Sequence, residues 1–316
     1  MKVLIWQTAF LGDVVLTTPL IESLRRSFPD SEIAFVGRPF ILELFRDQGV
    51  KLIPYAKRMS ETFSLLEKIR GYDVALAPHR SLRTALLLLA SRIPVRIGFD
   101  RSEFRYAFTH TVPHRWELHE VDRNLALLTP LSPSETVREP RLLLSEKERE
   151  ETLRRFGLSP GAYVVLNPFS NFPLKEWHLQ GWLELIRSLT GYDLVVTGLP
   201  SDAPRVRRLK EEASFRDLVG KTSLRELMAV LGSARAVVSN DSSPVHIANA
   251  FGVPAVTIYT ATSPAYGFYP LLGGYVENPA PCSPCSPNPK RCPRGEPVCV
   301  ALPSAESVLE RLKEFL

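Results

Sequence analysis

Short apolar runs alternate with longer stretches of helical periodicity along most of the chain. Val3 to Trp6 and Ile33 to Val36 are predicted as buried strands. The apolar residues between them fall on one face of a predicted helix: Leu16, Leu20, Ile21, Leu24 and Phe28. A further strand is predicted at 72–77, after a helical stretch at 63–69. This order indicates βαβ units and an α/β fold with parallel sheets.

The same alternation returns in the second half. Buried strands are predicted at 163–166, 194–197, 237–238 and 255–259, and helices at 177–189, 224–231 and 245–251. A Pro-, Ser- and Thr-rich stretch at 130–140 and a charged helix ending at Gly157 separate the two halves. We therefore predict two Rossmann-like domains, 1–155 and 160–300, facing each other across a cleft, with a last amphipathic helix at 303–316 that packs back on the first domain.

Polar residues follow the strand that ends near Val238. Asn240-Asp241-Ser242-Ser243 leads directly into a helical stretch, so it falls at the carboxyl end of a strand, where open α/β sheets bind ligands. The amides of Ser242 and Ser243 would open that helix and suit a phosphate group. The alternative is that Asp241 or Ser242 only caps the helix.

Polar loops also follow two predicted strands of the first half. Gly12-Asp13 comes after the first strand, and Pro78 to Arg83 comes after the strand at 72–77. A turn with a helix cap explains Gly12-Asp13 equally well. Arginines and histidines crowd the loop-rich stretch 92–115, which indicates either a basic cleft for an acceptor or a solvated face.

Five segments, in this order along the chain, carry a resemblance to the ADP-heptose:lipopolysaccharide heptosyltransferases. The first is the Gly12-Asp13 loop with Thr18, Pro19 and Leu24 of the helix after it, and the second is HEVDRNLALL from His119. The others are NPFSNFPLKEW from Asn167, GKTSL from Gly220 and NDSSPVHIANAFGVP from Asn240. Ser243 stands where the family usually has Gly, and Ala9 and Phe10 replace small hydroxyl residues.

The resemblance implies a GT-B fold and an inverting transfer of heptose from ADP-heptose, with Asp13 as general base. It places the family's phosphate-contacting lysine on Lys175. The implied donor-binding residues are Ser170, Asn171, Lys175, Asp202, Thr222, Asp241, Ser242, Ser243 and His246. The implied acceptor-binding residues are Arg80, Arg83, Arg101 and His119. From position alone, Asp202 could cap a helix, Lys175 could be an exposed charge and His119 could be a helix-start residue.

Composition bounds the setting of this activity. With 316 residues and 45% hydrophobic content the chain is long enough for two domains, and a net charge of +5 favours anionic partners. No apolar run reaches the roughly 18 residues of a membrane span, and the apolar run Val3 to Trp6 is too short for a signal-peptide core. We expect a cytoplasmic protein in peripheral contact with the inner membrane, where the lipid acceptor would lie.

Four cysteines stand in a Pro-rich tail, at Cys282, Cys285, Cys292 and Cys299. Four thiolates could close a tetrahedral structural zinc site, but only one CxxC pair is present. The expected reaction requires no cofactor. Two rival functions remain: a GT-B transferase for another nucleotide sugar, and a non-enzymatic zinc-bearing protein that binds nucleic acid. The second lacks aromatic residues interleaved with the cysteines for base stacking, so we expect no nucleic-acid partner.

Overall fold

The computed structural model describes all residues 1–316, which form two compact units, Met1–Leu143 and Leu144–Leu316. The predicted pair of parallel α/β domains is confirmed. The boundary falls earlier than the predicted 155–160 because the charged helix Glu146–Phe156 belongs to the second unit. Leu153 of this helix is buried, and its Glu148 forms an ion pair with the buried Arg225.

The first unit is built on a six-stranded sheet in which every paired neighbour runs parallel. Its strands are β1 Lys2–Trp6, β2 Glu32–Gly37, β3 Lys51–Pro54, β4 Val74–Leu76, β5 Val95–Phe99 and β6 His110–Val112. Its helices are α1 Leu11–Val15, α2 Thr18–Ser27, α3 Thr62–Ile69, α4 Leu82–Ser91 and α5 Glu120–Ala126. The strand order is β3-β2-β1-β4-β5-β6.

The second unit repeats this plan with the strand order β12-β11-β10-β7-β8-β9. Its strands are β7 Tyr163–Asn167, β8 Asp193–Val196, β9 Arg216–Asp217, β10 Ala236–Asn240, β11 Ala255–Tyr259 and β12 Gly273–Glu277. Its helices are α6 Glu146–Phe156, α7 Leu179–Ser188, α8 Ala203–Glu212, α9 Leu224–Gly232, α10 Ser243–Ala250 and α11 Ala305–Lys313.

Central strands of both sheets are apolar on both faces because helices cover both sides of a parallel sheet. Four of the five residues of β1 are fully buried, and all five residues of β7 and of β10 are buried. Burial on both faces explains why these segments read as continuous apolar runs in the sequence.

The last helix packs on the core of the second unit. Val308 and Leu312 of α11 are fully buried in the core of the second unit, beside Trp182 and Val276. The indole nitrogen of Trp177 also donates to the carbonyl of Pro303, 2.8 Å away, which ties the entry to this helix to the same unit. The apolar stripe of α11 is therefore satisfied inside residues 144–316.

Candidate active site

In each sheet the strand order reverses direction beside the first strand of the unit. The reversal lies between β1 and β4 in the first unit and between β7 and β10 in the second. At such a switch point the two adjacent loops leave in opposite directions and open a crevice at the carboxyl ends of the strands. Each unit thus has one position where its topology favours a ligand.

The first switch point holds Asp13, on the short helix α1 that follows β1. Its side chain is half-buried, and its carbonyl accepts a 2.8 Å hydrogen bond from the hydroxyl of Thr17. The side-chain amide of Asn124, on α5, donates to the backbone carbonyl of Leu16 at 3.1 Å. Helix α5 is therefore fixed against the turn that carries Asp13.

A buried ion pair on α5 lies within electrostatic reach of Asp13. Arg123 is 1% exposed and Glu120 is 7% exposed, and their charged atoms are 2.7 Å apart. Arg123 also donates to the carbonyls of Trp116 and Leu118. The pKa of Glu120 is raised to about 7, mainly by burial and also by the negative charge of Asp13, against the opposing charge of Arg123.

Aromatic and cationic groups complete this cluster. The Arg80 guanidinium lies 4.9 Å from the ring centroid of Trp116, and the Arg123 guanidinium lies 5.5 Å from the same centroid. His114 packs edge-on against Trp116, with ring centroids 4.8 Å apart. Burial lowers the pKa of His114 to about 4, and the charges of Arg80 and Arg123 lower it further. The crevice therefore presents arginine charges beside a neutral imidazole.

The sequence reasoning did not select His79, which lies inside this crevice. Its Nδ1 is 3.1 Å from the carbonyl oxygen of Trp6, which can only accept, so Nδ1 carries the proton. Its Nε2 then accepts from the hydroxyl of Thr84 at 3.0 Å. Burial lowers its pKa to about 4, so the ring stays neutral and bridges the ends of β1 and α4. Its place immediately after a predicted strand was the available signal.

The other predicted acceptor residues differ in their exposure and their partners. Arg83 is exposed on α4 and donates to the carbonyl of Lys57, and Arg101 is exposed after β5. His119 is 1% exposed, and its ring nitrogen caps α5 by accepting from the amide of Val121 at 3.1 Å. Arg96 of the basic stretch donates to the carbonyls of Ala107 and Ile93, so its role is structural.

The second switch point contains a buried ion pair. Lys175 Nζ lies 2.8 Å from a carboxylate oxygen of Asp241, and both side chains are only 11% exposed. The lysine follows β7 and the aspartate follows β10. The side-chain amide of Asn240 joins the same two loops. Its nitrogen donates to the carbonyl of Pro168 and its oxygen accepts from the backbone amide of Trp177, each at 2.9 Å. Lys175 is therefore not the exposed charge that its loop position allows.

Helix α10 begins directly beside this pair. Ser242 occupies the N-cap position but its side chain makes no capping bond, and its hydroxyl lies 3.0 Å from that of Ser239. Ser243, which replaces the family's Gly, is the first helical residue and does not adopt a positive φ. A side chain is thus accommodated there without backbone strain. Pro244 has no N–H and the amide of Val245 donates to the carbonyl of Ser242, so the amides of Ser242 and Ser243 are the ones that could reach an anion.

The side chain of Asp202 makes no capping bond to α8 and instead closes the short 3-10 turn Pro200–Asp202. One of its carboxylate oxygens accepts from the amide of Leu199 at 2.8 Å, and the other pairs with Arg205. Arg205 also pairs with Glu176, 2.6 Å away, and its guanidinium lies 4.7 Å from the ring centroid of Phe169. The loops after β7 and β8 are therefore tied together by charge. Donor binding by Asp202 stays a prediction.

The remaining predicted donor residues line the surrounding loops. Ser170 is held by its amide, which donates to Glu176 at 2.7 Å, and Asn171 is exposed at the next position. Thr222 is half-buried in the turn before α9, where Gly220 has a φ of +70° and packs so closely on Pro200 that a Cβ would stand 2.8 Å from its Cα. His246 is 3% exposed, with its ring 6.4 Å from that of Phe268.

All four cysteines have free thiols and pack in one small cluster with Leu174, the residue before Lys175. Burial raises the pKa of the Cys285 and Cys299 thiols, and the neighbouring thiols raise both further. No three His, Cys, Asp or Glu side chains stand where they could hold a metal ion together. Zinc binding would require these side chains to rotate toward one another, and it stays a prediction.

Comparison with solved structures defines the class of protein. The structure of Escherichia coli ADP-heptose lps heptosyltransferase II superposes with a TM-score of 0.80 at 25% identity, covering 100% of this chain and 98% of that one. Two all-parallel α/β units of this kind form the GT-B fold. The profile of glycosyltransferase family 9 (heptosyltransferase) matches residues 62–291. The chain belongs to this family.

Curated relatives agree over most of the chain. Lipopolysaccharide heptosyltransferase 3 of Escherichia coli is 28% identical over 280 residues, covering 80% of this chain and 82% of the relative. Lipopolysaccharide heptosyltransferase 2 of Escherichia coli strain K12 is 27% identical, covering 84% of each chain. The protein is therefore an enzyme, and the non-enzymatic interpretation of its cysteines and charge was wrong.

No helix of the structure combines the length and the hydropathy that a membrane span requires.

Proposed function

We propose that the enzyme transfers heptose, with inversion, from ADP-heptose to the inner core of lipopolysaccharide at the cytoplasmic face of the inner membrane. The names of the relatives motivate the sugar and the acceptor. The observation that carries the donor assignment is the buried Lys175–Asp241 pair beside the start of α10, because a cation and helix amides together suit a diphosphate.

The donor half of the reaction assigns charge neutralisation to the second unit. As the bond between the anomeric carbon and ADP breaks, the electron pair leaves with the diphosphate oxygen. Lys175 Nζ and the amides of Ser242 and Ser243, where α10 begins, would stabilise that developing charge. Asp241 already holds Lys175 in place, and it would orient the lysine or bind heptose hydroxyls. No metal ion is needed at the diphosphate in this scheme, so transfer should not depend on added divalent metal ions.

The acceptor half of the reaction assigns proton removal to Asp13. The acceptor hydroxyl oxygen forms a bond to the anomeric carbon on the face opposite ADP, and its proton passes to the Asp13 carboxylate. Arg80, held over Trp116, would attract the anionic groups of the acceptor. Glu120 is engaged by Arg123, so its proposed role is to shape the field around Asp13.

Donor identity can be tested by binding. The purified enzyme should be titrated with ADP-heptose, UDP-sugars, GDP-sugars and single-stranded DNA by calorimetry and thermal shift. ADP-heptose should bind and raise the melting temperature, and the others should not. Selective binding of a UDP- or GDP-sugar would instead establish the rival GT-B transferase.

Glu120 should impose a pH dependence on transfer. Its pKa lies near 7, so raising the pH through this value places a second negative charge near Asp13. Because the interaction is mutual, that charge favours proton uptake by Asp13, and turnover should rise with pH. Glu120→Gln, which cannot ionise, should remove the rise near pH 7. A rise that persists unchanged in Glu120→Gln would assign it to another group.

The cysteine tail offers a separate test. We propose that the four thiols bind one zinc ion, since four sulfur donors match its preference. Protein purified under reducing, chelator-free conditions should contain about one zinc per chain by mass spectrometry. Cys285→Ser should lose the metal and melt at a lower temperature. If the unsubstituted protein contains no zinc and melts at the same temperature as Cys285→Ser, the zinc proposal is wrong and the cysteines are free thiols.

A further inference from the structure

Helix α4 exposes an apolar face that the core of the first unit does not use. The side facing the core buries Thr84, Ala85, Leu87, Leu88 and Ser91. Leu82, Leu86 and Leu89 recur at helical spacing on the opposite side, and 44%, 46% and 42% of their surfaces are exposed. A surface helix ordinarily carries polar residues on that side, so the three leucines indicate a partner outside this unit.

Two larger apolar side chains extend this surface at the start of α3. Met59 is 86% exposed and Phe63 is 72% exposed. Helices α3 and α4 pack against each other, and Arg83 on α4 donates to the carbonyl of Lys57 at 2.6 Å. That bond fixes the turn before α3 to the start of α4. We define the apolar face by five residues: Met59, Phe63, Leu82, Leu86 and Leu89.

Cations without acidic partners border the start of the apolar face. Lys57, Arg58 and Arg83 follow β3 and β4 at the same edge of the sheet, and none of them forms an ion pair with a carboxylate. Two carboxylates lie at this border without pairing with these cations: Glu61 accepts from the amide of Ala56 at 2.8 Å, and Glu103 accepts from the amide of Leu82 at 2.7 Å. The pKa of Lys57 is lowered by burial and by the charges of Arg38 and Arg83, so the charges of Lys57, Arg38 and Arg83 lie within electrostatic reach of one another.

We propose that the apolar face, with Lys57, Arg58 and Arg83 at its border, docks on an anionic phospholipid surface. The apolar side chains would enter the region between headgroups and acyl chains, and the cations would contact lipid phosphates. A second copy of the chain fits this surface less well, because a two-fold contact would bring the same unpaired cations together. The inference rests on the proposed function, since it names the partner of the acceptor-binding unit.

Vesicle co-sedimentation tests the docking surface. The full chain should partition onto vesicles of phosphatidylcholine mixed with phosphatidylglycerol, less onto phosphatidylcholine alone, and less at high salt. Leu86→Glu should lower the partition coefficient about tenfold by losing apolar contact and adding repulsion. Arg58→Glu should lower it at least about fivefold, the effect of one cation near an anionic surface.

Leu272→Glu is the matched control, because Leu272 lies in the second unit and is similarly exposed, at 42%. It should bind anionic vesicles as the unsubstituted chain does. Each variant should melt at the unchanged temperature and bind ADP normally, which excludes misfolding. Equal vesicle binding by Leu86→Glu and the unsubstituted chain would overturn the proposal. It would also be overturned if the unsubstituted chain did not bind vesicles but self-associated, and Leu86→Glu abolished that self-association.

Failure of docking and failure of the proposed function are distinguishable. Leu86→Glu should lose transfer to acceptor embedded in vesicles while keeping transfer to a deacylated, water-soluble acceptor. Vesicle binding by a chain that transfers heptose to neither acceptor would remove the proposed function and leave the docking surface standing. Transfer to embedded acceptor by Leu86→Glu at the unsubstituted rate would contradict the docking surface alone.

Discussion

Asp13→Asn should lower turnover by about 10²- to 10⁴-fold, the usual contribution of general-base catalysis, while ADP-heptose affinity stays nearly unchanged. The amide preserves the size of the side chain but cannot take the acceptor proton. The donor is assigned to the other unit, so its binding should not sense the change. Steady-state kinetics and calorimetric titration with ADP-heptose would measure the two quantities separately.

Asp122→Asn is the control for this substitution. Asp122 lies on α5 two residues from Glu120, and both of its oxygens pair with Arg138, at 2.7 and 2.9 Å. Loss of this ion pair should change turnover and stability little, because both side chains are partly exposed. Full turnover in Asp13→Asn together with its loss in Asp122→Asn would show that the base is misassigned while the family remains correct.

Lys175→Ala should weaken ADP binding by about 10- to 100-fold, as expected for losing a charged hydrogen bond to phosphate. It should also lower the free energy of unfolding by about 3 kcal/mol, because Asp241 would be left buried without its partner at 11% exposure. Lys175→Ala with Asp241→Asn should recover part of the stability but not the ADP affinity. Calorimetry and denaturant unfolding would measure both effects.

Lys221→Ala provides the matched comparison. Lys221 also pairs with an aspartate of the second unit, 3.2 Å from Asp217, but it is 52% exposed. The same truncation there should change stability and ADP binding little. Unchanged ADP affinity in Lys175→Ala, together with loss of transfer on adding EDTA, would show that a metal ion rather than Lys175 neutralises the diphosphate.

The sequence predicts the position of each site better than its internal contacts. Asp13, Lys175 and Asp241 each follow a buried strand, and the carboxyl ends of parallel strands meet at one edge of a sheet. The sequence therefore predicts that Asp13 lies at such an edge in the first unit and that Lys175 and Asp241 share one in the second. The ion pair between Lys175 and Asp241 could not be predicted, because it depends on β10 returning beside β7 after two intervening strands. Strand order of this kind leaves no local signal.

Burial was the second quantity that local patterns did not supply. Glu120 and Arg123 stand at pairing distance on one helix, which their spacing indicates, but spacing does not reveal that both are buried. The leucines of α4 pose the reverse case. A continuous apolar run predicts a buried helix, yet three of its residues face outward, because the sheet covers only one side of α4.

Heptose transfer with inversion is tested most directly by the product itself. The enzyme should be incubated with ADP-heptose and a deacylated inner-core acceptor, and the product examined by mass spectrometry and by NMR of the new anomeric centre. We expect one added heptose whose anomeric configuration is opposite to that of the donor, formed by the unsubstituted chain and nearly absent with Asp13→Asn. A product that retains the donor configuration, or that forms at the same rate with Asp13→Asn, would contradict direct attack assisted by Asp13.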